Sequence, residues 1–397
     1  MATRRDGLAR RRAAMGYTQE SLAERLRSDR STVGRWERGT MTPLPWNQPD
    51  LAKALALSPQ ELAELLGPDQ VPVTVTEPFT LRDQRGPGVV AKIQAAAQAF
   101  QAADRRVGGG VLYPTVARYL SQEIGPRLLD GGDGLHATGL FTAAASMTEI
   151  AGWMSHDCGN DLLARTYFDR AFRLATAASN QALAGNACAS MAHLAIELDQ
   201  ADDALRIATA GLDNALQADG AKRLVARLHS MRARALALRG DRIGCAEALD
   251  TAERILAGAG GESAADWIAN FDDASLAGEA ALCFLQLAEF AEAERQAREV
   301  IRLRCGDRVR SRAFGQLTLA NVVLSAGRLD EAAMLGQEVC RLTTSLSSAR
   351  VLHRLDELGS SLGSARSVPE VAAFLAALGA LSHVSDTQEG RTATWPV

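Results

Sequence analysis

Residues 8–39 read LARRRAAMGYTQESLAERLRSDRSTVGRWERG, and the chemistry of this stretch sets the fold of the amino-terminal end. Leu8 to Met15 predicts a short helix, ended by Gly16 as a C-cap. Thr18 is placed to cap a second helix starting at Gln19, with Ser21 as its polar partner three residues on. Leu22, Ala23 and Leu26 form the apolar stripe of that helix, and Ala23 is small where another helix must cross. Arg27 and Ser28 turn the chain. Asp29 caps a third helix from Arg30 to Arg38, with Val33 and Trp36 on its buried side, and Gly39 stops it. Leu51, Leu55, Leu57, Leu62, Leu65 and Leu66 then supply two more short helices. Residues 1–67 therefore read as a five-helix domain with its own core.

Charge sets this end apart. The chain of 397 residues carries a net charge of −4, yet residues 1–45 hold ten arginines against five acids. A basic end on an acidic body fits local phosphate contact and not polyanion binding by the whole protein.

The string TQESLAERL followed by RSTVGRWERG resembles the Xre/Cro family of helix-turn-helix repressors, over residues 7–67. One departure stands out: the family usually has glycine at the inter-helix turn, where this chain has Arg27. Arginine at positive φ costs on the order of 1 kcal/mol, so the turn is expected to be reshaped. The resemblance implies a double-stranded DNA operator as partner. In such domains the third helix enters the major groove with its first residues against base edges. That assigns base contacts to Arg30, Ser31 and Arg35, with Thr32 flanking. An arginine fork on guanine O6 and N7 supplies roughly 1–3 kcal/mol of discrimination. Gln19, at a helix N-terminus, is assigned to phosphate, as are Arg38 and Thr40. Arg12 and Glu37 match positions that pair across helices in relatives and read as structural.

Strong patterning stops near Gly67. The stretch to Gly88 holds Pro68, Pro72, Pro78 and Pro87, a density that forbids a helix. Residues 68–88 read as an extended linker, with a short edge strand at Val71–Val75 as the alternative. Residues 89–133 read as a helical connector. Its two helices, 89–106 and 112–129, are parted by the glycines at 108–110, with Pro114 expected in the first turn of the second.

Residues 134–383 are repetitive. Small residues recur at Ala164, Ala204, Cys245, Ala293, Ala332 and Ala372. Twelve residues before each lies another: Gly152, Ala192, Ala233, Ala281, Ala320 and Ser360. A break falls between the two members each time. Such a unit is two helices joined by a tight turn, and neither helix can bury its apolar stripe alone, so units stack into a solenoid. The array resembles tetratricopeptide repeats, most closely at 145–174. The longest spacing coincides with AGAGGES at 257–263, an inserted loop, and residues 384–397 read as a tail. The whole chain is expected to be all-α.

Regulators with this layout resemble a Gram-positive family whose helical repeats bind a signalling peptide, and actinobacterial regulators carry such arrays too. The first helix of each tetratricopeptide unit lines the concave groove. On that register the groove positions include Glu149, Trp153, His156 and Asp157, then Asn186, His193 and Glu197, then Arg227, Arg234, Gln286, Asn321 and Arg354. Amides, arginines and a tryptophan suit a peptide or small-molecule effector.

Several classes are set aside. No apolar run approaches the length of a membrane span, and the basic N-terminus MATRRDGLARRRAAMG has no apolar core behind it, so a cytoplasmic location is expected. The six cysteines form no CxxC pair and read as small buried residues. The histidines show no metal-ligand spacing. There is no GxSxG, Walker loop or paired-carboxylate signature, and the consecutive His156-Asp157-Cys158 point in different directions on a helix. No enzyme activity, cofactor or metal is expected. The function expected is a DNA-binding transcription regulator that dimerises through its array and senses an effector there. The alternatives are an interaction scaffold that docks a partner protein at DNA, and a constitutive repressor whose array only dimerises.

Overall fold

The structure, a computed structural model, describes residues 6–26, 30–38, 43, 47–66, 87–129, 135–259, 271–304, 308–343 and 346–389. These fall in two compact units, divided between Pro78 and Phe79. Residues 68–86 of the expected linker, the inter-helix turn at residues 27–29, the stop at Gly39 and most of the inserted loop lie outside the described residues, while Pro87 and Gly88 already belong to a helix.

The first unit contains α1 (Asp6–Ala14), α2 (Gln19–Arg25), α3 (Arg30–Glu37), α4 (Asn47–Ala54) and α5 (Pro59–Leu66). Gly16 ends α1 at φ 78°. Thr18 accepts from the Ser21 backbone while the Ser21 hydroxyl accepts from the Thr18 N–H, a complete capping box. Leu8, Leu22, Ala23, Val33, Trp36, Leu51, Leu55, Leu62 and Leu66 form the core. Leu26 and Leu57 pack at its edge.

The second unit opens with α6 (Pro87–Val107), α7 (Gly109–Tyr119), a π-helical turn (Leu120–Ile124) and α8 (Gly125–Leu129). Six helix pairs follow: α9 (Leu135–Asp157) with α10 (Asp161–Ala177), α11 (Gln181–Glu197) with α12 (Ala201–Ala215), and α13 (Lys222–Leu238) with α14 (Arg242–Ala257). The series continues with α15 (Asp273–Gln286) and α16 (Phe290–Leu303), α17 (Val309–Ser325) and α18 (Leu329–Thr343), and α19 (Ala349–Leu362) and α20 (Pro369–Glu389). Ala164, Ala192, Ala204, Ala233, Cys245, Ala281, Ala293, Ala320 and Ala332 are all buried at the crossings.

The turns inside the pairs share one solution. A residue in the left-handed region ends the first helix of five pairs: Gly159, Asp199, Gly240, Ala288 and Gly327, at φ between 56° and 80°. The next N–H then reaches back to the last turn, as from Asn160 to the Ser155 carbonyl at 2.9 Å. Asn160 and Asp241 also cap the helix that follows.

Three sequence expectations are corrected. In the sixth pair the buried positions are Gly359 and Val371, while Ser360 and Ala372 face solvent; the register lies one residue earlier because α19 presents Leu355, Leu358 and Leu362 to the core. Pro114 sits inside α7 and not in its first turn. The helix begins at Gly109, and the glycines there lie flush against Met154 of α9 and the Ser347 segment. Cys158 is exposed, since it falls in the turn that ends α9; Cys188, Cys245, Cys283 and Cys340 are buried, and Cys305 lies outside the described residues.

The array also closes on itself along a seam. The Ser347 N–H donates to the Val107 carbonyl at 2.7 Å, and the Gly110 N–H donates to the Ser347 carbonyl at 3.4 Å. A Cβ on Gly108 would stand 2.2 Å from the Ser347 carbonyl oxygen, and one on Gly109 would stand 2.7 Å from the Met154 Cα. Only glycine permits that approach.

Candidate DNA-reading helix and array concavity

The third helix is fixed by one ionic knot. Glu37, 7% exposed, accepts from Arg12 Nε at 2.6 Å and from Gln19 Nε2 at 2.6 Å. Arg12 also donates to the Tyr17 carbonyl at 2.6 Å. One buried carboxylate thereby ties α1, the start of α2 and the end of α3 together. Gly34 lets the two helices approach: a Cβ there would meet Arg38 Nη1 at 3.1 Å and Gln19 Oε1 at 3.6 Å. Arg11 secures α4 by donating to the carbonyls of Leu55 and Ala56 at 2.8 and 2.6 Å.

The expected DNA contacts distribute around this knot. Arg30 opens α3, is exposed, and pairs with Glu20 at 2.6 Å. Ser31, Thr32 and Arg35 belong to the same helix, but their side chains lie outside the described residues, as does Thr40 entirely. Arg38 is exposed just past the end of α3. Gln19 is the first residue of α2, with its amide engaged by Glu37. Trp36 and Val33 are core, each 1% exposed.

In the second unit the first helices of the pairs turn their polar faces to a shared concavity. One cavity there, of about 330 Å³, is lined by Glu149, Trp153, His193, Arg227, Glu279 and Arg310 among others, with Asp104 contributed by α6. A neighbouring cavity of about 230 Å³ shares Trp153, His193, Glu279 and Arg310, and adds Glu197, Phe314, Arg350 and Arg354. Arg234 and Gln286 line a third, of about 210 Å³, together with Glu197 and Arg354. Asn186 and His156 are buried behind the surface at 1% and 3% exposure. Asn321, on α17, lines none of these three cavities.

The wall is held by hydrogen-bonded chains. Ser190 donates to Glu149 at 2.6 Å, and Trp153 Nε1 donates to Glu149 at 3.2 Å. Arg227 donates to Asn186 and to Ser190, with its guanidinium 5.7 Å from the Trp153 ring centre. Trp153 also packs against His193 with tilted rings, their centres 5.0 Å apart. Arg234 bridges Glu279 at 2.7 Å and Glu197 at 3.4 Å. His156 Nδ1 bonds Asp161 at 2.6 Å. Since a carboxylate only accepts, the proton sits on Nδ1, and the buried Nε2 has no partner among the described residues. Burial holds both His156 and His193 below the ordinary imidazole range, so both are neutral near pH 7.

Asp157 is a keystone and not a groove residue. It accepts from the Gly109 N–H at 2.9 Å, Ser348 Oγ at 2.6 Å and Arg310 at 3.0 Å. Arg310 in turn grips Asp104 at 2.6 Å. Burial opposes the charge on Asp157, but Arg310 and the two donors outweigh it and lower its pKa. Asp104, Glu279, Arg310 and Arg350 were not singled out by the sequence, because their roles depend on contacts that span up to 206 residues.

His156, His193 and Glu197 bring three possible metal-ligand atoms, two imidazole nitrogens and a carboxylate oxygen, within 4.8 Å of one another. However, Arg354, Arg350 and Arg234 stand 2.8, 3.1 and 3.4 Å from Glu197, and their charge opposes a cation there.

Among the described residues no helix is long and apolar enough to cross a membrane. No curated protein matches the chain. A solved structure that resembles it is that of Bacillus thuringiensis PlcR in complex with the peptide PapR7 and DNA, at 11% identity and a TM-score of 0.40, covering 79% of this chain and 98% of that one. Residues 8–62 match the helix-turn-helix family HTH_3. Residues 8–62 therefore form an Xre-type helix-turn-helix domain, and the described elements are helical throughout, with that domain preceding a helical-repeat array along the chain.

Proposed function

We propose that this protein is a sequence-specific transcription regulator that binds its operator as a homodimer and senses a peptide or small molecule in the concavity of its array. The observation that carries the reading is the Arg12–Glu37–Gln19 knot, which fixes α3 while Arg30 and Arg38 stay exposed. Arg30, Ser31, Thr32 and Arg35 are the proposed base readers, and Gln19, Arg38 and Thr40 the proposed phosphate contacts. The Arg30–Glu20 pair is solvent-exposed, and such pairs are weak, so Arg30 exchanges Glu20 for guanine at little cost. One helix reading three or four base pairs does not pick out one site in a genome, and two half-sites about 34 Å apart do. Dimerisation is assigned to the array.

The proposed sensing surface comprises Glu149, Trp153, His193, Arg227 and Arg234, backed by His156 and Asn186, with Asn321 farther along α17. A scaffold or a constitutive repressor would show the same DNA domain but a DNA affinity indifferent to small ligands. The test starts with operator selection by the full-length protein. Arg35→Ala is expected to erase the preference at one base pair, and an unchanged site would remove Arg35 from the readers. Light scattering on the operator reads the dimer. Anisotropy of the labelled operator, with and without small-molecule fractions of a culture extract, reads sensing. A monomer on DNA sinks the dimer, and indifference to every fraction sinks sensing.

A further inference from the structure

The cavity walled by Glu197, Phe314, Arg350 and Arg354 is ionically uneven. Arg354 and Arg350 both donate to one oxygen of Glu197, Oε2, at 2.8 and 3.1 Å. Arg234 takes the other oxygen at 3.4 Å and has a second acid in Glu279. Among the described residues Arg350 and Arg354 have no second acid: the nearby Asp157 is committed to Arg310, Ser348 and Gly109. The Nη2 of Arg350 reaches His193 only at 3.5 Å. The Nε and Nη1 donors of both arginines have no hydrogen-bond acceptor among the described residues. Burial, with Arg354 alongside, lowers the pKa of Arg350 despite Glu197, as expected of a guanidinium short of counter-charge.

One part of the wall is apolar. Both guanidiniums lie over the Phe314 ring, at 5.0 and 5.7 Å from its centre, and Leu282, Val300 and Ala281 continue the surface.

We infer that this cavity receives a carboxylate carried on an apolar body, with the carboxylate held by Arg350 and Arg354 and the body laid along Phe314, Leu282 and Val300. The inference rests on the ligand-sensing reading above and gives that ligand its chemistry. A planar carboxylate matches the fork of a guanidinium, and charge-assisted bonds of this kind are the strong ones. The ligand takes the open Nε and Nη1 donors and competes with Glu197 for the charge of the two guanidiniums. Because Glu197 sits on α11 and both arginines on α19, occupancy exchanges a contact between these helices for contacts to the ligand.

Two sources share this chemistry, a small organic acid and the free C-terminus of a short peptide. Phenylacetate and Ala-Ala-Phe represent them, each titrated calorimetrically into the full-length protein against its own amide. At least one acid is expected to bind about tenfold or more tighter than its amide, the factor set by one hydrogen bond to a charged group. Arg350→Gln and Arg354→Gln are each expected to erase the acid–amide difference, and Arg173→Gln, exposed on α10 and away from both cavities, to keep it. Circular dichroism checks that the variants fold, and the wild-type comparison needs no variant. Preference for phenylacetate alone assigns small acids, and preference for the tripeptide alone assigns a peptide C-terminus; either supports the inference. Acids and amides binding alike, or neither acid binding at millimolar concentration, overturns it. Acid-selective binding that leaves operator affinity unchanged would fell the sensing reading and leave this assignment standing.

Discussion

The two units build dry interiors by opposite means. In the helix-turn-helix domain, Trp36, Leu22, Leu51, Leu55 and Leu62 interlock around one centre, all at most 2% exposed. In the array the crossings are alanines, with Ala164, Ala192, Ala204, Ala233, Ala281, Ala293, Ala320 and Ala332 at 0%. A five-helix domain has few crossings and fills its centre with large side chains. A stack of pairs has a crossing at every step, and the backbones must come close at each. The first interior is vulnerable to truncation and the second to enlargement.

That contrast can be broken, most severely at Trp36. Trp36→Ala should cost about 3–5 kcal/mol and abolish the unfolding transition of the first unit in calorimetry, with the array transition intact. A silent Trp36→Ala would end the contrast. Its mirror image is Ala204→Leu, expected to cost about 1–3 kcal/mol by overpacking; here chemical denaturation should show a lower midpoint for the array alone. The array should further show an acid sensitivity of its own. His193 and His156 have depressed pKa values in the folded state, so the unfolded chain binds more protons below its ordinary imidazole pKa near 6.5. Stability should therefore be full above pH 6.5 and decline as pH falls below it, by up to about 1.4 kcal/mol per pH unit for each histidine. Denaturant midpoints at pH 7 and pH 5 measure this, and His193→Gln should flatten the dependence. The smallest effect is a gain: Ala288→Gly, at φ 58°, should relieve left-handed strain and stabilise by about 0.5 kcal/mol. A loss there would mean that the turn does not hold that conformation in solution.

Much of this was legible from one end of the chain to the other. Local rules announce local features: the capping box at Thr18 and Ser21, the stop at Gly16, the core roles of Val33 and Trp36, and the crossings at Ala164 through Ala332. The sixth pair slipped by one residue because Ser360 and Ala372 are as small as their buried neighbours' equivalents, and composition alone does not separate Gly359 from Ser360. Groove positions came from helix register, which brought Glu149, Trp153, His193 and Arg227 to one cavity but placed Asn186 and His156 behind it. The keystone at Asp157 was illegible, since its partners Gly109, Arg310 and Ser348 lie 48, 153 and 191 residues away, and no periodicity encodes them.

The seam between Gly108–Gly110 and Ser347 changes the thermodynamics of the array. An open solenoid is a one-dimensional chain of nearest-neighbour terms, and it frays from its ends. Here the segment at Val107–Gly110 is bonded to a residue just before the sixth pair, so the early and late units lose stability together. The linear lattice becomes a loop with a long-range coupling, which favours cooperative unfolding over fraying from the ends. In synthesis the same bond forms late: α6 and α7 wait, with their glycine edge uncovered, until residue 347 has left the ribosome.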